Sequence, residues 1–130
     1  MAYTIDTYYE TEIKVKGSKF IAVIFPVDRV EDAMNRLNDV RTHHPKATHH
    51  CWAYKVGCPV TGYRMSDDGE PSGTAGKPIF GQLEAFDVTN ILCVVVRYFG
   101  GTLLGTGGLI KAYKDSAKEV LALAILKEIR

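Results

Sequence analysis

Two glycine-rich segments have the composition of an anion-binding site. The first is Gly73-Thr74-Ala75-Gly76-Lys77, and the second is Gly105-Thr106-Gly107-Gly108, with Lys111 one helical turn further on. A glycine-rich turn that leads into a helix presents free backbone N–H groups and the positive end of the helix dipole to a phosphate. Apart from Ala75, these residues are therefore candidate ligands of an anion or a nucleic acid, with Thr106 also a candidate helix cap.

Neither segment satisfies a known nucleotide-binding motif. A P-loop would need glycine at position 71 and serine or threonine at position 78, and both positions hold proline. A dinucleotide-binding turn would need glycine at position 110, which is isoleucine. The glycines could instead serve only tight turns and close backbone approach, and this alternative stays open beside the first.

Three acidic residues, Asp67, Asp68 and Glu70, lie just before the first glycine segment. They could hold a hard cation, although their spacing is not that of an EF-hand, or they could form a solvated turn. A third interpretation involves Arg97, which ends an otherwise apolar run and needs a carboxylate partner if it is buried. We favour this interpretation, in which an acid pairs with Arg97 and the two loops brace each other. Arg97 is also a candidate anion-binding residue.

The four histidines and Cys51 fall within residues 43–51. Neighbouring strand residues such as His49 and His50 point to opposite faces, so we do not expect a metal-binding set. His49 and His50 remain candidate pocket residues. Cys51 and His50 fail as a catalytic pair for the same geometric reason. We therefore assign no catalytic residue, no metal and no cofactor, and we favour a non-enzymatic role.

The composition is that of an ordinary globular domain of 130 residues, with 46% apolar and 24% charged residues. A formal net charge of +1 creates no overall field toward nucleic acid or an anionic membrane, so such binding would need a local patch. We find no signal-peptide pattern, no apolar run long enough for a bilayer, and three cysteines that match no disulfide framework. We expect a cytoplasmic protein without a membrane partner.

Hydrophobic periodicity predicts an α+β fold. Strands are predicted at 10–15, 20–27, 49–56 and 91–98. A first helix is predicted from its cap Asp28 to a point before Pro45, a short helix at 78–86 and a long helix from Leu109, with a loop at 64–78. The order ββαβαβα with short links favours a two-layer sandwich.

Three motifs resemble those of the YigZ/IMPACT family: HHCWAY at 49–54, SDDGEPSGTAGKPI at 66–79 and VVVRYFGGTLLGTGGLIKAY at 94–113. The resemblance covers about residues 15–121. It implies a fold like domain 2 of ribosomal protein S5, with a mostly antiparallel sheet and helices on one side, and a cytosolic protein linked to translation. Bacterial relatives typically carry a C-terminal ferredoxin-like domain, which we expect to be absent here, so that residues 1–130 form a single IMPACT N-terminal-like domain.

Three functions follow from these observations. The first is a translation-associated regulatory module that binds RNA or a ribosome-associated protein through the two glycine segments, weakly for this domain alone. The second is a purely protein-interaction domain in translational control. The third is a metal-assisted enzyme that acts on a phosphorylated small molecule, with the three acids of the 67–70 loop holding the metal.

Overall fold

The computed structural model describes residues 1–129, which form seven strands and three helices. The strands are β1 (Ala2–Thr4), β2 (Tyr9–Val15), β3 (Ser18–Pro26), β4 (His49–Val56), β5 (Gly62–Ser66), β6 (Ile91–Tyr98) and β7 (Lys127–Ile129). The helices are α1 (Val30–His43), α2 (Gly76–Ala85) and α3 (Gly105–Leu123). None of these helices is long and apolar enough to cross a membrane.

Five strands form one sheet in the order β2-β3-β6-β4-β5, and every neighbouring pair is antiparallel. β6 lies at the centre, and its apolar run from Ile91 to Val96 is fully buried because helices cover both faces of the sheet. β1 and β7 form a separate antiparallel pair. The predicted α+β class with an antiparallel sheet is confirmed.

The helices lie on both faces of this sheet. On β3, Phe20, Ala22 and Ile24 pack into one core with α2 and α3, whereas Ile21 and Val23 pack into a second core with α1. Side chains alternate along a strand, so one continuous apolar run can supply both cores. The expectation that all helices lie on one side is therefore corrected, because α1 forms a third layer on the opposite face.

Several predicted boundaries differ from the structure. Arg29, not Asp28, precedes the first turn of α1, and no side chain of residues 1–129 caps this helix. β5 occupies part of the segment predicted as a loop. The sequence does not indicate this strand, because Tyr63 and Arg64 are both exposed and interrupt the alternation expected of a strand. α3 begins at Gly105, so the second glycine segment is the first turn of the helix.

Helices α2 and α3 begin at the same end of the sheet. Lys55 near the end of β4 pairs with Glu84 near the end of α2 at 2.8 Å. The amide of Ile125, just beyond α3, donates to the hydroxyl of Tyr9, which lies opposite Ile24 near the end of β3. The end of α2 thus lies beside the end of β4, and the end of α3 lies beside the end of β3. Because β3 and β4 both run antiparallel to β6, their ends lie beside the start of β6, and both helices therefore start beside the end of β6. The fold thus brings the two glycine segments to one end of the molecule.

Candidate functional site

Glu70 connects the two glycine segments. Its carboxylate accepts hydrogen bonds from Nη1 of Arg97 at 2.8 and 3.1 Å and from the hydroxyl of Tyr113 at 2.5 Å. Arg97 lies in β6 and Tyr113 in α3, whereas Glu70 lies in the loop before α2. The Glu70 and Arg97 side chains are only 3% and 6% exposed, so their ion pair is buried. The predicted pairing of Arg97 with an acid of this loop is present, and Glu70 is the partner.

Further polar contacts hold this loop against the sheet. Nε2 of His49 lies 3.4 Å from Oε1 of Glu70, and the carbonyl oxygen of Asp68 lies 2.7 Å from Nδ1 of the same histidine. Arg97 also donates to the hydroxyl of Ser18 at 3.3 Å. The carboxylate of Glu70 and the hydroxyl of Ser18 are the acceptors that offset the cost of removing the guanidinium from water. The prediction of Arg97 as a phosphate ligand is therefore corrected, because its donors face groups inside the protein.

Asp67 fills the first glycine segment with its own carboxylate. Oδ1 accepts from the amides of Ala75 at 3.1 Å and Gly76 at 2.9 Å, and Oδ2 accepts from the amide of Gly73 at 2.9 Å. Burial alone would raise the pKa of Asp67, but these three backbone hydrogen bonds outweigh it and lower the pKa. An anionic cap of this kind also suits the positive end of α2.

The first glycine segment is consequently closed to an external anion. The amides of Gly73 and Gly76 are already used, and the hydroxyl of Thr74 donates to the carbonyl of Pro71 at 2.6 Å. The anion-binding predictions for these three residues are corrected. At Gly76 the absence of a side chain permits close packing, because a Cβ there would lie 2.8 Å from the backbone of Ser66. Lys77, the next residue, is exposed.

The first turn of α3 is open. Leu104 occupies the N-cap position, and no side chain in the described chain caps the helix. Thr106 lies inside the turn, so its predicted capping role is corrected. Gly105, Thr106 and Gly107 are exposed, and Gly108 is half-buried against Leu104. The N–H groups of this turn therefore remain available to a ligand.

Exposed apolar side chains flank this turn. Leu103 is 83% exposed, Phe99 48% and Ile110 40%. Lys111 adds a cation beside them, paired with Asp115 at 2.6 Å while its side chain stays 76% exposed. We call the exposed residues of segment 99–111 the α3 N-terminal surface. Exposed apolar side chains that form one patch mark interaction sites more often than single ones do, and Phe99, Leu103 and Ile110 lie within one short segment.

Sequence reasoning did not single out the apolar part of this surface. The signal that could have found it is the leucine pair in GGTLLGTGG. Only one of these two adjacent leucines packs into the core. Leu104 is that one, at 8% exposure, and Leu103 is left in solvent.

The acidic residues do not form a metal site. Asp67 accepts from amides, Glu70 accepts from Arg97, and Asp68 Oδ2 accepts from the amide of His50 at 2.7 Å. Within residues 1–129, no group of three or more histidine, cysteine, aspartate or glutamate side chains could hold a metal ion. The alternative in which the three acids bind a cation is therefore corrected.

The histidine and cysteine side chains of β4 are bonded inside the fold. His49 and His50 are half-buried, and Nε2 of His50 lies 2.7 Å from the carbonyl oxygen of His44. The thiol of Cys51 donates to the carbonyl of Asp67 at 3.1 Å, and burial raises the pKa of this thiol far above its usual range. Cys51 is thus held as a neutral thiol, while the pocket role of His49 and His50 stays a prediction.

The family follows from a comparison of the whole domain. The sequence model of the Impact N-terminal domain matches residues 16–121. The chain belongs to the IMPACT family. It is 48% identical over 110 residues to the IMPACT family member YigZ of Escherichia coli. This match covers 83% of this chain and 54% of YigZ.

Two solved structures resemble this chain, and one of them is described as a translational regulator. A structure described as a hypothetical protein superposes with a TM-score of 0.93 at 41% identity, over 97% of this chain and 62% of that chain. The two-domain translational regulator Yih1 superposes with a TM-score of 0.52 at 25% identity, over 95% of this chain and 47% of its own. The chain spans about half the length of the relatives it matches. The likeness to Yih1 suggests a family of translational regulators.

Proposed function

We propose that this domain is a regulatory module of translation that binds a protein partner through the α3 N-terminal surface. The observation that carries the proposal is the 83% exposure of Leu103, with Phe99 and Ile110 partly exposed in the same segment. Burial of these exposed apolar side chains by a partner lowers the free energy because it removes them from water. The link to translation rests on the likeness to Yih1, which is described as a translational regulator.

The buried Glu70 network supports this role because it fixes the surface in position. Tyr113 in α3 and Arg97 in β6 both donate to Glu70, and the amide of Gly100 donates to the hydroxyl of Ser18 at 3.2 Å. These contacts hold β6 and α3, the two elements that flank the loop carrying Leu103, and one end of the loop itself at Gly100. A surface ordered before binding loses less conformational freedom when the complex forms.

RNA binding is a second candidate, and the uncapped first turn of α3 favours it. The N–H groups of this turn and Lys111 could together hold one phosphate. The net charge of +1 and the filling of the first glycine segment by Asp67 restrict such binding to a few phosphates. We do not propose the metal-assisted enzyme, because its acidic residues bind other groups.

Site-specific photo-crosslinking tests the proposal and separates the two candidates. A photoreactive amino acid replaces Leu103 in one variant and Leu123 in a control variant, because Leu123 is 58% exposed at the other end of α3. Each variant is irradiated in a translation-competent cell extract, and the products are treated with RNase or protease. We expect an RNase-resistant product at position 103, absent from the control, that contains a protein of the translation apparatus.

The alternative outcomes are equally distinct. A product at position 103 that RNase removes would support the RNA candidate and contradict a protein partner. The same products at both positions, or none at position 103, would contradict the α3 N-terminal surface as the binding surface.

A further inference from the structure

A groove lies on the opposite face of the sheet, between α1 and the hairpin of β2 and β3. It exists because α1 packs over β6 and β4 and leaves the β2 side of this face uncovered. Its volume is about 350 Å³, and its walls include Tyr8, Glu10, Phe25, Arg36, Asp39 and His44. The groove is separate from the α3 N-terminal surface, since α3 packs on the other face.

One wall of the groove is aromatic. The rings of Tyr8 and Phe25 are stacked with centroids 6.2 Å apart and an interplanar angle of 24°. Tyr8 is 60% exposed, so much of its ring surface is accessible from the groove and the solvent. The guanidinium of Arg36 lies 5.4 Å from the centroid of Phe25. This contact is a cation–π interaction, and it shows that a planar cation suits this wall.

The groove also carries an unbalanced negative charge. Arg36 lies 3.7 Å from Asp39, so these two charges offset each other. Glu10 is exposed on β2 and has no ion pair with any residue of the described chain. His44 does not supply the missing cation: burial lowers its pKa, although Glu10 acts in the opposite direction, and its Nδ1 is bonded to the hydroxyl of Tyr98 at 2.6 Å. Within the described chain Glu10 therefore has no ion-pair partner, and its exposed carboxylate is accessible to an external cation.

We propose that this groove binds an arginine side chain of a partner polypeptide. The guanidinium stacks on the ring of Tyr8 and donates two hydrogen bonds to the carboxylate of Glu10. A planar, delocalised cation fits an aromatic face and a carboxylate together, whereas a lysine ammonium provides neither a flat face nor a two-pronged donor. A side chain within a polypeptide fits better than free arginine, because Arg36 is paired with Asp39 and leaves the α-carboxylate of a free amino acid without a cation.

A titration followed by NMR tests this assignment. The probes are N-acetyl-arginine methylamide and its neutral isostere N-acetyl-citrulline methylamide, which differ in charge and hardly in shape. We expect saturable shifts of the amides of Tyr8, Glu10 and His44 with the arginine probe, and about tenfold weaker binding of the citrulline probe. Glu10→Gln should weaken the arginine probe about fivefold. Glu31→Gln, at the exposed start of α1, is the matched control and should change nothing.

Tyr8→Ala provides a second variant, which should weaken the arginine probe several-fold by removing the stacking surface. Equal binding of the two probes, shifts confined to residues outside the groove, or unchanged affinity in Glu10→Gln would overturn the proposal. This test does not involve the α3 N-terminal surface, so a failure of the groove proposal can be distinguished from a failure of the proposed function.

Discussion

Replacing Glu70 with glutamine should destabilise the protein far more than removing a surface ion pair. Glutamine keeps the size of the side chain but leaves the guanidinium of Arg97, only 6% exposed, without an anion. Breaking one partner of a buried pair costs about 3 kcal/mol or more. The control is Asp115→Asn, which removes the partner of Lys111. That pair is shorter, 2.6 Å against 2.8 Å, but its side chains are 76% and 42% exposed, so its loss should cost about 0–1 kcal/mol.

The free energy of unfolding in urea, measured for each variant at neutral pH, provides the comparison. Arg97→Met should be destabilising as well, since it leaves the carboxylate of Glu70 buried without its cation. The Glu70→Gln, Arg97→Met double variant should lose less stability than the sum of the losses in the two single variants, with a coupling of about 2 kcal/mol. A loss in Glu70→Gln no greater than in Asp115→Asn, or strictly additive losses, would refute the buried pair as the element that joins the two loops.

Four further results are expected. Asp67→Asn should lower the free energy of unfolding by about 1 kcal/mol above about pH 5, the low end of the range for a lost charged acceptor because Asp67 is only half-buried. Because the folded state lowers the pKa of Asp67, this difference should shrink as the pH falls through and below the ordinary value of 3.8, whereas a pH-independent difference would speak against the three-amide cap. Gly107→Ala should raise the melting temperature, because a Cβ there meets no described atom within 4 Å and alanine favours a helix by about 1 kcal/mol. Gly100→Ala should lower it strongly, because its Cβ would lie 2.0 Å from the backbone of Gly17, and tolerance of this change would disprove the close contact. Mass spectrometry after brief treatment with a thiol reagent should find Cys58 labelled first, because Cys51 and Cys93 are buried and burial raises their pKa values. Rapid labelling of a second cysteine would contradict this burial.

The sequence predicts the central strands well and the edge of the sheet poorly. The predicted bounds of β4 and β6 match the structure because a strand covered on both faces reads as one uninterrupted apolar run. β5 was missed because an edge strand with Tyr63 and Arg64 in solvent has no such pattern. The apolar stripe of α1 identifies a helix, but it does not say which face of the sheet that helix covers.

The sequence predicts the ion pair of Arg97 in the candidate site, but it does not predict which backbone amides are accessible to a ligand. An arginine at the end of an apolar strand requires an acceptor whatever the fold, which is why a partner for Arg97 could be expected from the sequence. Whether the amides of a glycine segment are free depends on where one nearby carboxylate points. Asp67 turns inward onto three of them, whereas its neighbour Asp68 turns to the amide of His50. No property of the two adjacent aspartates in the sequence distinguishes these outcomes.

The decisive measurement is the affinity of the unmodified domain for the protein that crosslinks at position 103. Its Kd is determined by calorimetry for the wild type, for Leu103→Ala and for the control Leu123→Ala. A leucine side chain buried at an interface contributes about 1.5–3 kcal/mol, so Leu103→Ala should weaken binding about tenfold or more, and Leu123→Ala should leave it unchanged. Wild-type affinity in Leu103→Ala, or an equal loss in both variants, would contradict binding through the α3 N-terminal surface.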